Sequence, residues 1–241
     1  NKTFFYNNFL ESIVFKKGVS YIGSEAFSYC KNLTSISILD SSVSIGKYAF
    51  SDCPKISSAI FQNNLSSFES NPFIRSTIEC VTFKGNTEEF DGANIFLYCI
   101  VQSIIFEKKV NHVMEKSFYS DRNLTSISFL GGVESIGDFA FFKCTKLESV
   151  TIENLSYYIG NNAFANCTSL TTINITGEVK NIGNYTFYNC PKLISISLTG
   201  NISSIGIGAF SCCSIKEIEI PSRIYKIGEY AFSYCRNLEK V

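Results

Sequence analysis

The stretch IGSEAFSYCKNLTSISI, residues 22–38, decides the fold of this chain because close copies of it recur along all 241 residues. IGDFAFFKCTKLESVTI begins at Ile136, IGNNAFANCTSLTTINI at Ile159 and IGNYTFYNCPKLISISL at Ile182. The shared pattern is I-G-x-x-A-F-x-x-C-x-x-L-x-x-I-x-I. Successive copies lie 23 residues apart, with two intervals of 22, which predicts one structural unit repeated along the chain.

Two positions of the repeat carry most of this signal. The phenylalanine is kept in all ten copies, as Phe27, Phe50, Phe73, Phe96, Phe118, Phe141, Phe164, Phe187, Phe210 and Phe232. The glycine four residues earlier is kept at Gly23, Gly46, Gly92, Gly137, Gly160, Gly183, Gly206 and Gly228, and Glu69 and Met114 fill the other two copies. We expect this glycine where the chain turns tightly or approaches the neighbouring coil closely.

A period of 23 residues lies within the range of leucine-rich repeats, in which each unit is one strand followed by a short return. Ile36 and Ile38 alternate with serines, the pattern of a strand with one buried side. In the return arm, Ala49, Phe50 and Cys53 are spaced to share one side of a helical turn. These patterns predict an α/β solenoid: a leucine-rich repeat right-handed superhelix with a parallel concave sheet and short helical or irregular return arms.

The whole chain, residues 1–241, is predicted to be a single solenoid domain of ten such repeats. No single repeat can bury its own apolar face, so stacking must create the core, and phenylalanines one period apart should occupy one coil position. Because the chain opens and closes within a repeat, we expect it to be a fragment of a longer chain.

The motif A-F-x-x-C-x-x-L-x-x-I-x-I with the preceding I-G resembles the BspA-like, or Treponema-type, class of leucine-rich repeat over essentially the whole chain. The resemblance implies a microbial surface or secreted protein that adheres to host proteins or cells, and it implies no catalytic residues. Between residues 62 and 122, Glu69, Ser76, Met114 and Asp121 replace consensus glycine or cysteine. Either this stretch has drifted or a partner binds there.

Charge and composition exclude several classes of partner. Lysine plus arginine (21) equals aspartate plus glutamate (21), so no net field attracts nucleic acid or an anionic membrane surface. The sequence contains no run of about 18 apolar residues that could span a bilayer, and its N-terminal residues do not resemble a signal peptide. We therefore expect the partner to be a protein: a host or matrix protein, or another protein chain. We expect no binding to nucleic acid and no insertion of this segment into a membrane.

Eight of the ten cysteines occupy the same repeat position, where parallel side chains should form a column of small buried groups: Cys30, Cys53, Cys99, Cys144, Cys167, Cys190, Cys213 and Cys235. Parallel side chains do not suit disulfide geometry, so we predict free thiols. The two other cysteines, Cys80 and Cys212, are predicted to be exposed: Cys80 on the outer face of the sheet and Cys212 on the return arm. Each is either an unreactive surface thiol or a site of covalent attachment to a partner.

The sequence predicts no enzyme, cofactor or metal site. His112 is the only histidine, and we expect it in a solvated loop leading to Val113. There is no C-x-x-C pair for zinc and no phosphate-binding, metalloprotease or serine-hydrolase motif.

Binding is assigned to the outward side of the sheet, the surface that solenoids commonly use. Its predicted central row consists of Val14, Ser37, Ile60, Thr82, Ile105, Ser128, Thr151, Asn174, Ser197 and Glu219. The row contains almost no charged residues and no aromatic anchors, and this composition favours weak or multivalent binding. It is equally consistent with serine and threonine simply suiting a solvated pleated surface.

Location is predicted from N-x-[ST] sequons, which favour the cell surface or secretion. They occur at Asn1, Asn32, Asn64, Asn123, Asn154, Asn166, Asn174, Asn184 and Asn201. Asn174 lies in the central row, where a glycan would obstruct a flat ligand. The leading hypothesis is an extracellular adhesion module; the alternative is a cytoplasmic scaffold or structural protein, favoured by the free thiols.

Overall fold

The structure is a computed structural model that describes residues 2–39, 43–62, 67–198 and 201–241. The chain folds into two compact units, Asn1–Thr87 with Asp91–Lys108, and Glu88–Phe90 with Lys109–Val241. In chain order the elements are β1 (Ser12–Phe15), β2 (Tyr21–Ile22), β3 (Ser35–Ile38), β4 (Ser44–Ile45), β5 (Ile56–Phe61), β6 (Ser67–Phe68), β7 (Thr77–Phe83), β8 (Thr87–Phe90), α1 (Gly92–Ile95), β9 (Ile100–Phe106), β10 (Val110–Val113), β11 (Ser126–Phe129), β12 (Val133–Ile136), β13 (Ser149–Leu155), β14 (Tyr158–Ile159), β15 (Thr172–Gly177), β16 (Asn181–Ile182), β17 (Ser204–Ile205) and β18 (Lys226–Ile227).

The strands predicted from the L-x-x-I-x-I pattern pair in parallel within each unit. In the first unit the order is β1, β3, β5, β7 and β9, and in the second it is β11, β13 and β15. Ile13 pairs with Ile36 and Ile36 with Ala59, so equivalent residues of successive coils are neighbours. Each unit is therefore a parallel β-solenoid, as the period predicts.

A second parallel strand completes most coils, and the repeat pattern alone did not predict it. It forms at the residues just before the glycine, as β2, β4 and β6 in the first unit and as β10, β12, β14, β16, β17 and β18 in the second. Val133 and Ile136 of β12 are buried, so the apolar spacing V-x-x-I was the available signal.

The predicted phenylalanine column forms the core of both units. Phe27 and Phe50 stack with ring centroids 5.3 Å apart, and Phe141 and Phe164 stack at 4.9 Å. Phe50, Phe141 and Phe164 are fully buried. Stacked pairs add about 0.5–1.5 kcal/mol each beyond the burial of their area, so the column stabilises neighbouring coils within each unit.

The return arms are irregular, which is one of the two predicted forms, whereas the helical form and the α/β class are not confirmed. The arm around Phe27 is a series of turns. In the described part of the chain the only α-helix is α1, which has four residues. Ala49, Phe50 and Cys53 do share one buried side, as predicted, but on a backbone that is not helical.

Hydrogen bonding between coils explains why the arms are not helical. The amides of Glu25 and Phe27 donate to the carbonyls of the next coil, at Lys47 and Ala49, at 3.0 and 2.8 Å. The intervening Ala26 amide donates to the Gly23 carbonyl, three residues back. Alternate amides are thus used between coils, so the i to i−4 bonds of a helix cannot form.

Two left-handed residues in most coils produce this alternation. They lie two and six residues after the glycine, for example Glu25 and Tyr29, Tyr48 and Asp52, or Asn162 and Asn166, with φ between 53° and 63°. Such a conformation costs a residue with a Cβ about 1–2 kcal/mol. The bonds that it allows to the next coil offset that cost.

The repeated glycine is required by close packing of backbones. A Cβ on Gly183 would lie 2.7 Å from the carbonyl carbon of Gly160, and one on Gly206 would lie 2.5 Å from that of Gly183. Neither glycine has a positive φ. Of the two roles predicted, close approach to the neighbouring coil is confirmed at these positions.

Candidate binding surface

The predicted central row forms a continuous line on the outer side of the sheet within each unit. Val14 pairs with Ser37, Ser37 with Ile60, Ile60 with Thr82, and Thr82 with Ile105. In the second unit Ser128 pairs with Thr151 and Thr151 with Asn174. We call these residues the sheet row.

The sheet row is accessible to solvent, but it has few side chains that could hold a partner tightly. Ser37, Ile60, Thr82, Ser128 and Thr151 are half-buried, because their neighbours along the ladder shield them. Val14 and Asn174 are exposed. The row carries hydroxyl and aliphatic groups and no charge, so it can contribute hydrogen bonds and a small apolar area.

The last two members of the predicted row lie where the ladder is interrupted. Residues 193–198 repeat the L-x-x-I-x-I pattern and bury Leu193, Ile196 and Leu198, yet they form no strand. Ser197 and Glu219 are exposed there and line a cavity of about 580 Å³ together with Ser195, Glu217 and Lys240. The expectation of a strand at these positions is wrong, but the cavity brings two predicted residues together with a carboxylate and an ammonium group.

The two thiols predicted to be exposed are half-buried. Cys80 lies between Ser58 and Ser103 on the outer side of the sheet, and its Sγ is 3.9 Å from the Thr82 hydroxyl. Cys212 lies on a return arm with φ of 61°, beside the Ser211 hydroxyl at 3.7 Å. Each keeps part of its surface open to solvent.

The cysteine column has a specific structural task that its small size alone does not explain. Each thiol donates to a backbone carbonyl of the preceding coil, as Cys53 does to Phe27 at 3.3 Å and Cys167 to Phe141 at 3.1 Å. In most coils the same carbonyl also accepts a backbone amide, as the Phe141 carbonyl does from Cys144 at 3.1 Å, so the thiol occupies the second acceptor position of that carbonyl. Ser76, which replaces cysteine in one coil, donates to the Phe50 carbonyl at 2.6 Å.

Burial keeps these thiols protonated and unreactive. It raises the pKa of Cys53 to about 12 and that of Cys235 to about 11, and it raises the pKa values of Cys144 and Cys167 as well. The pKa of Cys213 is raised by a hydrogen bond with Cys190 and by burial. Because the thiolate is the nucleophile, chemistry at the column is suppressed.

At two of the irregular positions between residues 62 and 122, the side chain that replaces the consensus residue accepts hydrogen bonds from neighbouring groups. Glu69, in the glycine position, accepts the Lys47 amide at 2.8 Å and the Tyr21 hydroxyl at 3.3 Å. Asp121, in the cysteine position, accepts the amides of Asn123 and Leu124, and burial raises its pKa.

The return arms carry an aromatic surface that the repeat pattern did not reveal. In the second unit Tyr119 stacks on Phe142 at 5.1 Å, and Tyr185 packs edge-on against Tyr188 at 5.9 Å. Exposed tyrosines of the arms are Tyr6 and Tyr98 in the first unit and Tyr119, Tyr185, Tyr188, Tyr230 and Tyr234 in the second. Because tyrosine is enriched at binding hot spots, this arm surface competes with the sheet row as a candidate interface.

His112 lies in β10, and the expected loop position is wrong because the second strand of the coil was not predicted. Its Nδ1 is 2.8 Å from the Ser135 hydroxyl, and its Nε2 is 4.0 Å from a Glu134 carboxylate oxygen. Ser135 is buried, so this hydroxyl contributes to pairing between coils and is closed to a substrate.

Metal-binding clusters and membrane-spanning helices are both missing from the described residues. Within these ranges, three or more His, Cys, Asp or Glu side chains are nowhere grouped as a metal would require. Over the same ranges, no helix has the length and apolar character needed to cross a membrane.

The sequons differ in accessibility. Asn32, Asn154, Asn174 and Asn184 are exposed, whereas Asn123, Asn166 and Asn201 are half-buried. Two further sequons, at Asn1 and Asn64, lie outside the described residues.

Stacked parallel coils with a strand, a return arm and an aromatic column define a leucine-rich repeat solenoid. The family described as BspA type leucine rich repeat region matches in six copies over residues 1–124 and 111–239. The chain therefore belongs to the BspA-type leucine-rich repeat family, as the motif indicated.

One solved structure supports the same fold. A leucine-rich repeat protein from Bacteroides ovatus is 28% identical with a TM-score of 0.59, and the match covers 96% of this chain and 60% of that one. The chain thus spans about 60% of the length of that relative. Also similar are the leucine rich repeat protein of T. pallidum (23% identity, 57% and 78% coverage, TM-score 0.46) and a leucine rich cell surface protein from Faecalibacterium prausnitzii (23%, 95% and 72%, TM-score 0.43). No curated protein matches this chain.

Proposed function

We propose that this chain is a non-enzymatic protein-binding module of a microbial cell-surface or secreted protein, used in adhesion. The observation that carries the proposal is the regular outer side of the sheet in a member of this repeat family. Equivalent hydroxyl and aliphatic groups recur at the spacing of neighbouring strands, about 4.8 Å. Such a surface suits many weak contacts with an extended protein partner.

The sheet row is the proposed contact surface, together with the cavity beside Ser197 and Glu219. The sheet lacks the aromatic and arginine anchors that usually dominate affinity. Binding should therefore be weak for one module and strengthened by multivalency.

The test compares the sheet row with the arm surface. Immobilised fibronectin and collagen serve as matrix-protein probes, and fixed epithelial cells serve as the cellular probe. Ser37→Arg and Thr151→Arg place a long charged group on the sheet row of each unit; Tyr119→Arg and Tyr188→Arg make the same change on the arm surface. Loss of binding in the sheet variants alone supports the proposal. Loss in the arm variants alone assigns binding to the arms, and absence of binding by the unmodified chain contradicts adhesion to these probes.

Location has its own test. Labelling of intact producing cells with a membrane-impermeant biotin reagent should mark the native protein. Recovery of an unlabelled protein from the cytosol contradicts the surface assignment.

The second candidate function is an intracellular scaffold, which ten cysteines in the thiol form favour. Cys80 and Cys212 are the thiols to compare, because seven of the eight column thiols are buried and therefore shielded in any compartment. Reduced Cys80 and Cys212 in protein isolated under alkylating conditions favour the cytoplasm, whereas oxidised or capped thiols favour export.

A further inference from the structure

Two interior coils of the second unit carry the same pair of aromatic rings on their return arms, with one coil between them. Phe139 and Phe142 lie two and five residues after the glycine of their coil. Tyr185 and Tyr188 occupy the same two positions of the later coil. The first pair packs edge-on with ring centroids 5.6 Å apart, and the second does so at 5.9 Å. All four side chains keep part of their surface open to solvent, so each pair forms a raised aromatic patch on its arm.

The coil between these pairs has no ring at either position. Asn162 and Ala165 occupy them, so the arm surface is lower there than on both sides. Ala165 is fully buried, whereas Asn162 and the nearby Asn166 are half-buried. The side-chain amide of Asn162 makes no hydrogen bond within the described ranges, and Asn166 uses only its oxygen, which accepts a neighbouring amide group at 2.8 Å. We call this depression the arm groove, with its floor at Asn162 and Asn166 and its walls at Phe142 and Tyr188.

The width of the arm groove follows from the stacking of the coils. Phe142 and Tyr188 each come directly after a ring of the phenylalanine column. In that column Phe141 and Phe164 are 4.9 Å apart, and Phe164 and Phe187 are 5.5 Å apart. The two walls are thus separated by two coil steps, roughly 10 Å. Because carbon atoms in contact lie about 3.5–4.0 Å apart, a gap of this width accepts one saturated ring with a face against each wall.

Each wall can offer an aromatic face to a bound molecule. One face of the Phe142 ring stacks on Tyr119 of the preceding coil at 5.1 Å, with 22° between the ring planes. The opposite face is therefore turned toward the groove. Tyr188 has the same position in its coil and the same kind of edge-on neighbour, so its ring bounds the groove from the other side. A molecule held between them has to present C–H groups on both faces, because these groups meet the electron-rich face of an aromatic ring.

Hexopyranose sugars differ in this property. When every hydroxyl is equatorial, as in β-linked glucose, N-acetylglucosamine and glucuronic acid, both faces of the sugar ring carry axial C–H groups. Mannose and galactose carry an axial hydroxyl, which places a polar group on one face. A groove with an aromatic ring on each side therefore favours the all-equatorial sugars, and the amides of its floor can fix their orientation by hydrogen bonds.

The arms that form the groove are positively charged. Between the glycine and the leucine of each coil, the three arms contain three lysines and a single acidic residue. The Lys143 ammonium lies 5.3 Å from the ring centroid of Phe142. Lys143, Lys146 and Lys192 are exposed, and none of them forms an ion pair within the described residues. The acidic residue, Asp138, already accepts hydrogen bonds from the next coil at 2.7 and 3.2 Å. This balance of charge favours an anionic sugar over a neutral one.

We propose that the arm groove binds an acidic glycan, with one all-equatorial hexopyranose ring held between Phe142 and Tyr188. Asn162 and Asn166 hydrogen-bond the sugar hydroxyls from the floor, and Lys143 pairs with the carboxylate of a uronic acid. This glycan site lies on the return arms and is separate from the protein contact proposed for the sheet row.

Three polysaccharide probes separate the shape of the sugar ring from its charge. Hyaluronan fragments alternate β-linked glucuronic acid and N-acetylglucosamine, so they combine equatorial hydroxyls with carboxylates. Cellohexaose has the equatorial hydroxyls without the charge, and polymannuronate has a carboxylate on every sugar together with an axial hydroxyl. The chain is produced in a host without N-glycosylation, because Asn166 begins a sequon. Titration calorimetry at low and at physiological salt measures the affinity of each probe.

Hyaluronan should bind most tightly, and its affinity should fall with added salt because the lysine contacts are screened. Cellohexaose and polymannuronate should each bind about tenfold more weakly, since each lacks one of the two kinds of contact. Absence of hyaluronan binding overturns the proposal. Equal binding of polymannuronate shows that charge alone acts, and equal binding of cellohexaose shows that the lysines take no part; either result also overturns it.

Variants of the walls test the position of the site. Phe142→Ser and Tyr188→Ser each remove one ring, and serine already occupies this position in a later coil, as Ser211. Each variant should weaken hyaluronan binding about tenfold. Tyr98→Ala removes a ring that is 75% exposed on an arm of the first unit, and this matched control should leave binding unchanged. Circular dichroism checks that each variant keeps its strands. An unchanged affinity in either wall variant, or an equal loss in the control, overturns the proposal.

Two further variants separate the contributions. Lys143→Gln should weaken hyaluronan binding and leave cellohexaose binding as it is, because only the charge contact is lost. A similar loss for both probes would contradict the assigned pairing of Lys143 with a carboxylate. Ser37→Arg, on the sheet row of the first unit, should bind hyaluronan as the unmodified chain does. Failure of the sheet row as a protein contact and failure of the arm groove as a glycan site are therefore distinguishable.

Discussion

At the scale of the residue, the cysteine column shows how one hydrogen-bonding atom, a sulfur or an oxygen, determines which residue types a buried position tolerates. A thiol, or the hydroxyl of Ser76, donates a hydrogen bond to a buried carbonyl of the preceding coil. Size and apolarity alone would favour alanine at these positions. The hydrogen bond instead favours serine.

Replacement of Cys167 separates the two explanations. Cys167→Ala should lower the free energy of unfolding by about 0.5–1.5 kcal/mol, because the buried Phe141 carbonyl loses one of its two donors and keeps the Cys144 amide. Cys167→Ser should cost less, since its hydroxyl can donate to the same carbonyl. Urea denaturation measures both, and Cys80→Ala on the outer side of the sheet serves as control. A smaller loss for alanine than for serine would show that the thiol acts only as a small apolar group.

Asp121 should make stability depend on pH. Burial raises its folded-state pKa, so the ionised carboxylate costs stability at neutral pH, and this cost is relieved as the pH falls through the folded-state pKa. Asp121→Asn keeps an oxygen for the amides of Asn123 and Leu124 and removes the charge. The variant should therefore be more stable than the unmodified chain at pH 7, and the difference should shrink as the pH falls through the folded-state pKa of Asp121.

Denaturant titrations from pH 7 to pH 3 measure this difference. Glu25→Gln, on a return arm of the first unit, is the control for a general effect of charge removal. A difference between Asp121→Asn and the unmodified chain that is independent of pH contradicts the assignment.

At the scale of the element, the return arm depends on its two left-handed residues. Asn162→Val should lower the free energy of unfolding by about 1–2 kcal/mol, because a branched side chain is disfavoured at a φ of 53°. Asn162→Gly should stay within about 1 kcal/mol of the unmodified chain. In a helical arm glycine would be the costlier of the two replacements. Thermal or urea unfolding of the two variants decides between these conformations.

The sequence predicted the strands well and the arms poorly, for a physical reason. Period-2 alternation at Ile36 and Ile38 has one structural solution, whereas Ala49, Phe50 and Cys53 can share a buried side in a helix or in consecutive turns. The signal that was missed is the residue type at the left-handed positions. Asparagine or glycine, which tolerate that conformation, occurs at some of these positions, as Asn71, Asn162, Asn166, Asn189 and Gly208, but tyrosine and other residues occupy most of them, so the signal is weak.

The candidate site was predictable to a similar extent. The repeat register placed Ser37, Thr82 and Thr151 correctly on the outer side, because strand pairing follows the period. The interrupted ladder at residues 193–198 could not be foreseen, since their pattern matches that of the true strands. The arm tyrosines were missed because no local pattern distinguishes an exposed ring on a turn from one buried in a core.

At the scale of the whole molecule, stability should be nearly a sum over neighbouring coils. Excision of residues 160–182 joins Ile159 to Gly183 in register and brings Phe187 onto Phe141. The shortened chain should unfold cooperatively, with a lower free energy of unfolding and a smaller dependence on urea, since less surface is exposed. Excision of residues 160–171, about half a coil, should abolish cooperative unfolding. Circular dichroism in urea checks both, and similar behaviour of the two deletions would contradict a stack held together by register.

In the return arms, backbone amides donate to carbonyls of the following coil, and this common direction has an electrostatic consequence. The peptide group between Ala26 and Phe27 points its carbonyl toward the preceding coil and its amide toward the next, and the equivalent group of each regular coil does the same. Peptide dipoles in this orientation add along the stacking axis, as they do along an α-helix. In each unit the arms therefore leave partial negative charge toward the first coil and partial positive charge toward the last.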